Sequence, residues 1–391
     1  MKILFLNYEY PPLGGGAGNA TEYLLREYAK IPDLEVHLVT SSVDAQEHHF
    51  AVSEKIFVHS VPIGKNPETL HFQSHLDVLR YSWVGYRFAR KLLSQGGFTA
   101  IHAFFSVPCG VQASLLGRRF DIPYIVSLRG ADVPGFSERF RLLYGVLQPI
   151  IRWVWRRAFA VVAVSQGMKA LALRTDAKQA MSVIPNGIDF ADFPKSLGST
   201  DGVLRLISTS RLTPRKGLRY LIEALGILRE KFAITNVEVL LVGDGHERES
   251  LEKSARGYGV EKQVKFIGRV AHNRLAEWYA EADVFVLPSM NEGMSNAMLE
   301  ALASGLPLLV TRTGGTEEVL EEGKNGLEIK MREAEDIAEK VKRLYDDVPL
   351  RLSMAQASRR KAEEMSWENI AAAYHNLYRE AAHKYSGINK N

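Results

Sequence analysis

The sequence holds a single cysteine, Cys109, in 391 residues. A lone thiol excludes a disulfide framework and a cysteine-built metal site, and it fits a reducing compartment. No apolar run approaches the ~20 residues that a bilayer span requires. The opening Met1-Lys2-Ile3-Leu4-Phe5-Leu6-Asn7 is broken at once by Tyr8-Glu9-Tyr10-Pro11-Pro12, with no small-residue cleavage site after it. It therefore reads as a buried first strand, and a cytoplasmic protein is expected. Charge of one sign is also scarce. Residues 1–195 carry 21 Lys+Arg against 16 Asp+Glu, and residues 196–391 carry 28 against 29, for a net charge of +4. So mild a basic excess gives no footprint for nucleic acid. There is no Asp-x-Asp anywhere, so nothing suggests a bound metal shielding a diphosphate, and no cofactor is expected.

The composition that remains, 46% hydrophobic and 24% charged, is that of a soluble globular protein, and the length favours two domains. Short apolar runs alternate with longer amphipathic stretches. Ile3–Asn7, Val36–Thr40, Ile56–Val61, Ala100–Phe104, Tyr124–Leu128, Phe159–Val164 and Met181–Ile184 read as strands, with helices such as Asn19–Lys30 and Leu76–Leu93 between them. Continuous apolar strands separated by helices imply a parallel sheet covered on both faces. The rhythm restarts at Leu204–Ser208, Val237–Val242, Val264–Ile267, Val284–Leu287 and Leu308–Val310, with helices at Leu218–Lys231 and Asn296–Ala303. The expectation is α/β, with two doubly wound Rossmann-like domains facing across a cleft. They span residues 1–190 and 203–366, joined by a linker at 191–202 inside the aperiodic, Gly- and Pro-bearing stretch Asp189–Gly202. Ligands of such sheets bind at the carboxyl ends of the strands.

The loops there carry the chemistry. Pro11-Pro12-Leu13-Gly14-Gly15-Gly16-Ala17-Gly18 links the first strand to a helix. It reads either as a loop whose N–H groups approach a phosphate or as a tight turn with no ligand. A nicotinamide fingerprint is excluded, because its third glycine falls on Asn19 or Thr21. The first strand of the second domain runs into Arg211-Leu212-Thr213-Pro214-Arg215-Lys216-Gly217 before a helix, gathering cations where a helix end favours an anion. A basic surface turn is the other reading. Then Glu292-Gly293-Met294-Ser295-Asn296 opens a helix that carries Glu300. The N–H groups of Met294, Ser295 and Asn296 can face a diphosphate. Glu300 stands ~6–8 Å along the helix, within reach of a ribose.

Taken together, Arg211-x-x-x-x-Lys216-Gly217, Glu292-Gly293 through Glu300, Gly243-Asp244-Gly245, Pro185-Asn186-Gly187-Ile188-Asp189 and the Gly14–Gly16 loop resemble the retaining GT-B-fold glycosyltransferases of family 4. The resemblance covers nearly the whole chain. It implies that Arg211 and Lys216 hold the diphosphate of a nucleoside-diphosphate sugar, that Glu300 binds the ribose, and that Glu292 with the Gly293–Asn296 backbone contacts the sugar. It also places Gly268, Arg269 and Val270 beside the base and Gly15 and Gly16 in the donor loop. A closing helix over 367–385 is expected to cross back onto the first domain.

One position departs from the family. Its frequent His-Gly-x-Asp is here Arg129-Gly130-Ala131-Asp132, and an arginine cannot act as a base at neutral pH. Arg129 either binds an anionic sugar or acceptor, or pairs with Asp132; His102 reads either as a strand-end structural histidine or as a sugar or acceptor contact that approaches the cleft. The implied reaction is metal-independent transfer with retained configuration, the leaving diphosphate itself taking the acceptor proton. Glu292 is the only local carboxylate for a double displacement, and the resemblance places it by the sugar hydroxyls instead. Arg211, Lys216 and Glu292 are thus the catalytic candidates, and domain closure about Asp189–Gly202 is expected to exclude water. The acceptor is expected to be a saccharide, a lipid-linked molecule or a small molecule. The segment Arg139–Arg157 interleaves arginines with Trp153, Trp155 and aliphatics. It reads either as two helices broken at Pro149 and packed on the sheet or as a surface for peripheral contact with an anionic membrane. A nucleotide-sugar epimerase, a glycoside phosphorylase and a non-catalytic sugar-nucleotide sensor are the alternatives on the same fold.

Overall fold

The computed structural model describes residues 1–65, 74–136, 141–189, 193–194, 196, 201–292 and 294–388, with the side chains of 141–142 and 386–388 excepted. Contacts divide the chain into two units, Met1–Asn186 with Trp367–Asn391, and Gly187–Ser366.

In the first unit the described strands are β1 (Lys2–Leu6), β2 (Glu35–Ser41), β3 (His48–Ser53), β4 (Ile56–Val61), β5 (Ala100–Phe104), β6 (Tyr124–Leu128), β7 (Ala160–Ala163) and β8 (Ser182–Val183). They pair in the order β3-β4-β2-β1-β5-β6-β7-β8, all parallel except β3 on β4. The helices are α1 (Gly16–Tyr28), α2 (His75–Leu93), α3 (Val111–Phe120), α4 (Arg141–Arg157) and α5 (Gln166–Leu173). Strand order reverses between β1 and β5, so the loops after those two strands flank a crevice.

α4 is one helix with Pro149 inside it, not two. The proline removes a single backbone donor. Tyr144 before it and Ile151, Val154 and Trp155 after it are all buried, which holds both halves to the same face. The tyrosine hydroxyl donates to the Ala131 carbonyl at 2.9 Å and the indole N–H to Ser106 Oγ at 2.9 Å.

The second unit comprises β9 (Leu204–Thr209), β10 (Val237–Val242), β11 (Val264–Gly268), β12 (Val284–Leu287), β13 (Leu308–Thr311) and β14 (Gly326–Ile329), ordered β11-β10-β9-β12-β13-β14 and all parallel. Its helices are α6 (Leu218–Phe232), α7 (Arg248–Gly257), α8 (Leu275–Ala280), α9 (Asn296–Ala303), α10 (Thr316–Val319), α11 (Ala334–Asp346) and α12 (Val348–Glu364). Two apolar clusters cover the two sheet faces, one around Leu221, Leu225 and Val341, the other around Tyr279, Leu299 and Leu302. Here the order reverses between β9 and β12.

The division at Asn186/Gly187 falls before the 191–202 segment, of which residues 191–192, 195 and 197–200 lie outside the described residues. Residues 187–189 just ahead of it, and Phe193 within it, belong to the second unit. Ile188 N–H donates to the Met365 carbonyl at 2.9 Å, and Phe193 is buried in the second unit's core. The closing helix, α13 (Trp367–Ile388), returns to the first unit, where Ile370, Tyr374 and Tyr378 pack among α1, β1 and β5 residues. Among the described residues no helix is long and apolar enough to cross a membrane.

Candidate active site

In the second unit the loops after β9, β10, β11 and β12 open at one sheet edge, and backbone contacts knit them together. Leu212 N–H donates to the Asp244 carbonyl at 2.9 Å, Gly243 N–H to the Gly268 carbonyl at 2.8 Å and Met290 N–H to the Arg215 carbonyl at 2.8 Å. Two glycines make this closeness possible. Gly243 has φ +133° and a Cβ there would stand 1.9 Å from the Ser210 carbonyl oxygen. Gly217, at φ +66°, would put one 2.2 Å from that of Pro288. Real Cβ contacts are never so short, so side chains are excluded where the loops touch.

Onto this frame the sequence hangs its charges. Lys216 ends a short 3-10 turn after β9, and its Nζ donates to Glu292 Oε1 from the β12 loop. Only 11% and 9% of the two side chains remain exposed. Ser289 Oγ donates to the same carboxylate oxygen at 2.7 Å. Lysine and glutamate therefore meet across the β9/β12 reversal. Arg211 and Arg269 are exposed on the neighbouring loops, and neither guanidinium has an ion-pair partner among the described residues. Val270 packs on the core beneath. Met294 and Ser295 lead into α9, which begins at Asn296; Gly293 lies outside the described residues.

Glu300, in the second turn of α9, is 6% exposed. Its Oε2 accepts the Tyr279 hydroxyl at 2.8 Å, and that hydroxyl also meets Thr209 Oγ1 at the end of β9. His272 Nδ1 stands 3.9 Å from Oε1. Burial raises the Glu300 pKa above the usual carboxylate range, with the facing histidine and the tyrosine bond opposing it. Tyr279 and His272 were not singled out in the sequence. They sit at the end of α8 and in the turn before it, and nothing in their spacing points to Glu300.

In the first unit Gly15 and Gly16 lie exposed where α1 begins. Behind them is a group that sequence reasoning passed over. Glu9 Oε2 accepts the Gly15 N–H at 3.4 Å, and the Glu9 side chain fills the space that a Gly14 Cβ would need. Burial pushes the Glu9 pKa up to about 7, the Gly15 bond pulling the other way. A carboxyl with a raised folded-state pKa holds its proton more tightly folded than unfolded, so stability falls as pH rises from the ordinary range through about 7. Glu9→Gln is neutral throughout. Its melting temperature should match wild type near pH ~4 and exceed it by a few degrees near pH ~8. A difference that does not grow with pH contradicts this account of Glu9.

Arg129, at the end of β6, does not pair with Asp132 through its guanidinium. Asp132 is 7% exposed and saturated: Oδ1 accepts the N–H groups of Arg129 and Gly130 at 3.0 Å each, and Oδ2 accepts Ser106 N–H at 2.8 Å and Oγ–H at 2.9 Å. The Arg129 guanidinium donates to Asn186 Oδ1 at 2.8 Å and to the Tyr374 hydroxyl at 3.4 Å, and lies 3.5 Å from the Phe104 ring centroid. The structural reading of His102 holds, and its reading as a sugar or acceptor contact is corrected. It is fully buried and stacked on Phe5, and its two ring nitrogens bond the Tyr378 and Ser127 hydroxyls at 2.6 and 2.8 Å. It ties α13 to β5 and presents nothing to a substrate.

Both sheets thus open loops at a topological switch point, and the second bears a cation-and-carboxylate site. This is the architecture of GT-B glycosyltransferases. Sucrose-phosphate synthase from Thermosynechococcus elongatus superposes with a TM-score of 0.78 at 19% identity, over 97% of this chain and 98% of that one. Anabaena HepE in complex with UDP-glucose gives 0.67 at 20% identity, over 99% and 100%. Residues 189–361 match the model for glycosyl transferases group 1, and residues 15–187 that for the glycosyl transferase 4-like domain. An uncharacterised glycosyltransferase of Methanocaldococcus jannaschii is 30% identical over 97% of this chain and 98% of its own length. The chain belongs to the group 1 glycosyltransferase family.

Proposed function

We propose that this glycosyltransferase moves a sugar from a nucleoside-diphosphate donor to a hydroxyl acceptor with retention of configuration and without a metal. The observation that carries the reading is the Lys216–Glu292 pair across the β9/β12 reversal, with Glu300 buried in the helix that follows the same β12 loop. Lys216 and Arg211 bind the diphosphate, Glu300 the ribose hydroxyls, and Glu292 the sugar hydroxyls. The Gly293–Asn296 backbone completes the sugar contact, and Gly268, Arg269 and Val270 border the base. That HepE was solved with UDP-glucose supports a uridine donor.

As the bond from the anomeric carbon to the phosphate oxygen breaks, negative charge collects on the diphosphate. Cations fixed in advance stabilise it. The acceptor oxygen bonds the anomeric carbon from the face the diphosphate leaves, and its proton passes to the departing phosphate oxygen. Glu292 is tied to Lys216 and Ser289, which argues against it as a free nucleophile. The absence of Asp-x-Asp supports metal independence. The basic, Trp-bearing α4 supports peripheral contact with an anionic membrane at the cytoplasmic face.

The test is transfer from UDP-glucose followed by proton NMR of the product. An α-configured glucoside formed at an unchanged rate in EDTA is expected. A β-configured product, or loss of turnover on chelation, overturns the mechanism.

A further inference from the structure

The first unit leaves apolar side chains in solvent along two helices. On α2, Leu76, Leu79 and Trp83 are 64%, 64% and 65% exposed, spaced three and four residues apart on one face. On α4, Leu143, Val146 and Ile150 repeat that spacing at 41%, 71% and 40%. Both stripes end the same way. The Arg87 guanidinium lies 5.8 Å from the Trp83 ring centroid, and that of Arg157 lies 5.1 Å from Trp153. A row of exposed aliphatics closed by a Trp–Arg pair suits the boundary between hydrocarbon and headgroups, where the ring is half wet and the cation meets phosphate.

The charge on these helices has one sign. The only acid on α2, Asp77, is buried against Lys65 at 3.0 Å, whereas Arg80, Arg87, Arg90 and Lys91 are exposed. α4 has no acid at all. Two copies of this face would set arginines against arginines, and a single protein groove would have to match two separate stripes. A bilayer rich in anionic lipid offers one extended surface of the right charge to both helices, which line a common cavity. That cavity, of about 260 Å³, is lined by Val78 of α2 and by Tyr144, Leu147 and Ile151 of α4, with Glu9 and Asp132 in the same lining. Leu143 of the α4 stripe lines it too, together with Tyr8 and Glu9 after β1 and Ala131 and Asp132 after β6.

We propose that α2 and α4 together form a docking face for an anionic bilayer, and that the cavity between them admits the sugar-accepting end of a lipid-linked acceptor. This rests on the glycosyltransferase reading for the word acceptor, but the docking face stands without it.

Co-flotation with phosphatidylcholine vesicles carrying about one-third phosphatidylglycerol tests it. The full chain should float with these vesicles and stay behind with pure phosphatidylcholine. The pair Leu79→Glu and Trp83→Glu on α2 should lower the bound fraction about tenfold or more, and Val146→Glu on α4 should lower it too, since each change removes apolar area and adds repulsion. UDP affinity by calorimetry should be unchanged in all of them, which shows that the fold is intact. The proposal is overturned if wild type stays off anionic vesicles, if the α2 pair floats like wild type, or if sedimentation shows a dimer that these substitutions dissociate. Normal flotation by a chain that binds no UDP would sink the glycosyltransferase reading and leave the docking face standing.

Discussion

Lys216→Ala should lower the rate of sugar transfer by about a thousandfold or more, the largest effect expected of any single substitution in this chain. Among the described residues of the site, the lysine is the one buried cation, 9% exposed at the end of a turn pinned by Gly217. A cation already in place when the diphosphate gains charge needs no rearrangement at the moment of reaction, and this is why its removal falls on turnover. The structure adds a complication, because the same lysine neutralises Glu292. Removing it strands a nearly buried carboxylate, so Lys216→Ala alone mixes lost catalysis with lost stability. The double variant Lys216→Ala, Glu292→Gln, compared with Glu292→Gln alone, separates them. Its thermal stability should recover toward wild type while its turnover stays low. If turnover recovers along with stability, the lysine is only a partner for Glu292 and has no part in the chemistry.

Glu300→Ala should weaken donor binding by about tenfold to a hundredfold and leave the maximal rate nearly unchanged. Two hydroxyl hydrogen bonds to a carboxylate contribute roughly that much. The fold should survive, since Tyr279 keeps its contacts with Thr209 Oγ1 and the Ala297 carbonyl at 3.3 Å. The raised Glu300 pKa gives a second readout. Donor affinity should fall as pH drops through that raised value, because the protonated form is the poorer acceptor, and Glu300→Gln should bind weakly with no such dependence. Calorimetry against UDP across pH reads both. Affinity equal to wild type in Glu300→Ala removes the residue from the ribose site.

Much of this arrangement was legible in the residues. Most parallel strands of both units stand out as apolar runs, because sheets covered on both faces bury most positions, but β14, Gly-Leu-Glu-Ile, is short and broken by a glutamate and escaped. The α9 helix falls on the residues that its periodicity marks, Asn296–Ala303. What escaped has physical reasons. β3 is an exposed antiparallel edge strand, His-His-Phe-Ala-Val-Ser, whose short mixed composition has neither a continuous apolar run nor a clean alternation to mark it. Pro149 looks like a helix breaker until the buried residues on both sides are seen holding α4 together. Glu9 reads as an ordinary loop acid, since its burial is created by Gly14 and Gly15 folding back over it. His102 sits near the end of an apolar strand, where sequence alone cannot say which of its neighbours reach the ring; α13, some 270 residues later, supplies Tyr378.

The central claim is that a pyrophosphate sits at the β9/β12 reversal of the second unit. A crystal structure with UDP bound tests it most directly. The account predicts the diphosphate within hydrogen-bond distance of Lys216 Nζ and the Arg211 guanidinium, with the ribose hydroxyls on the Glu300 carboxylate. A nucleotide seated with its phosphates away from both cations contradicts it.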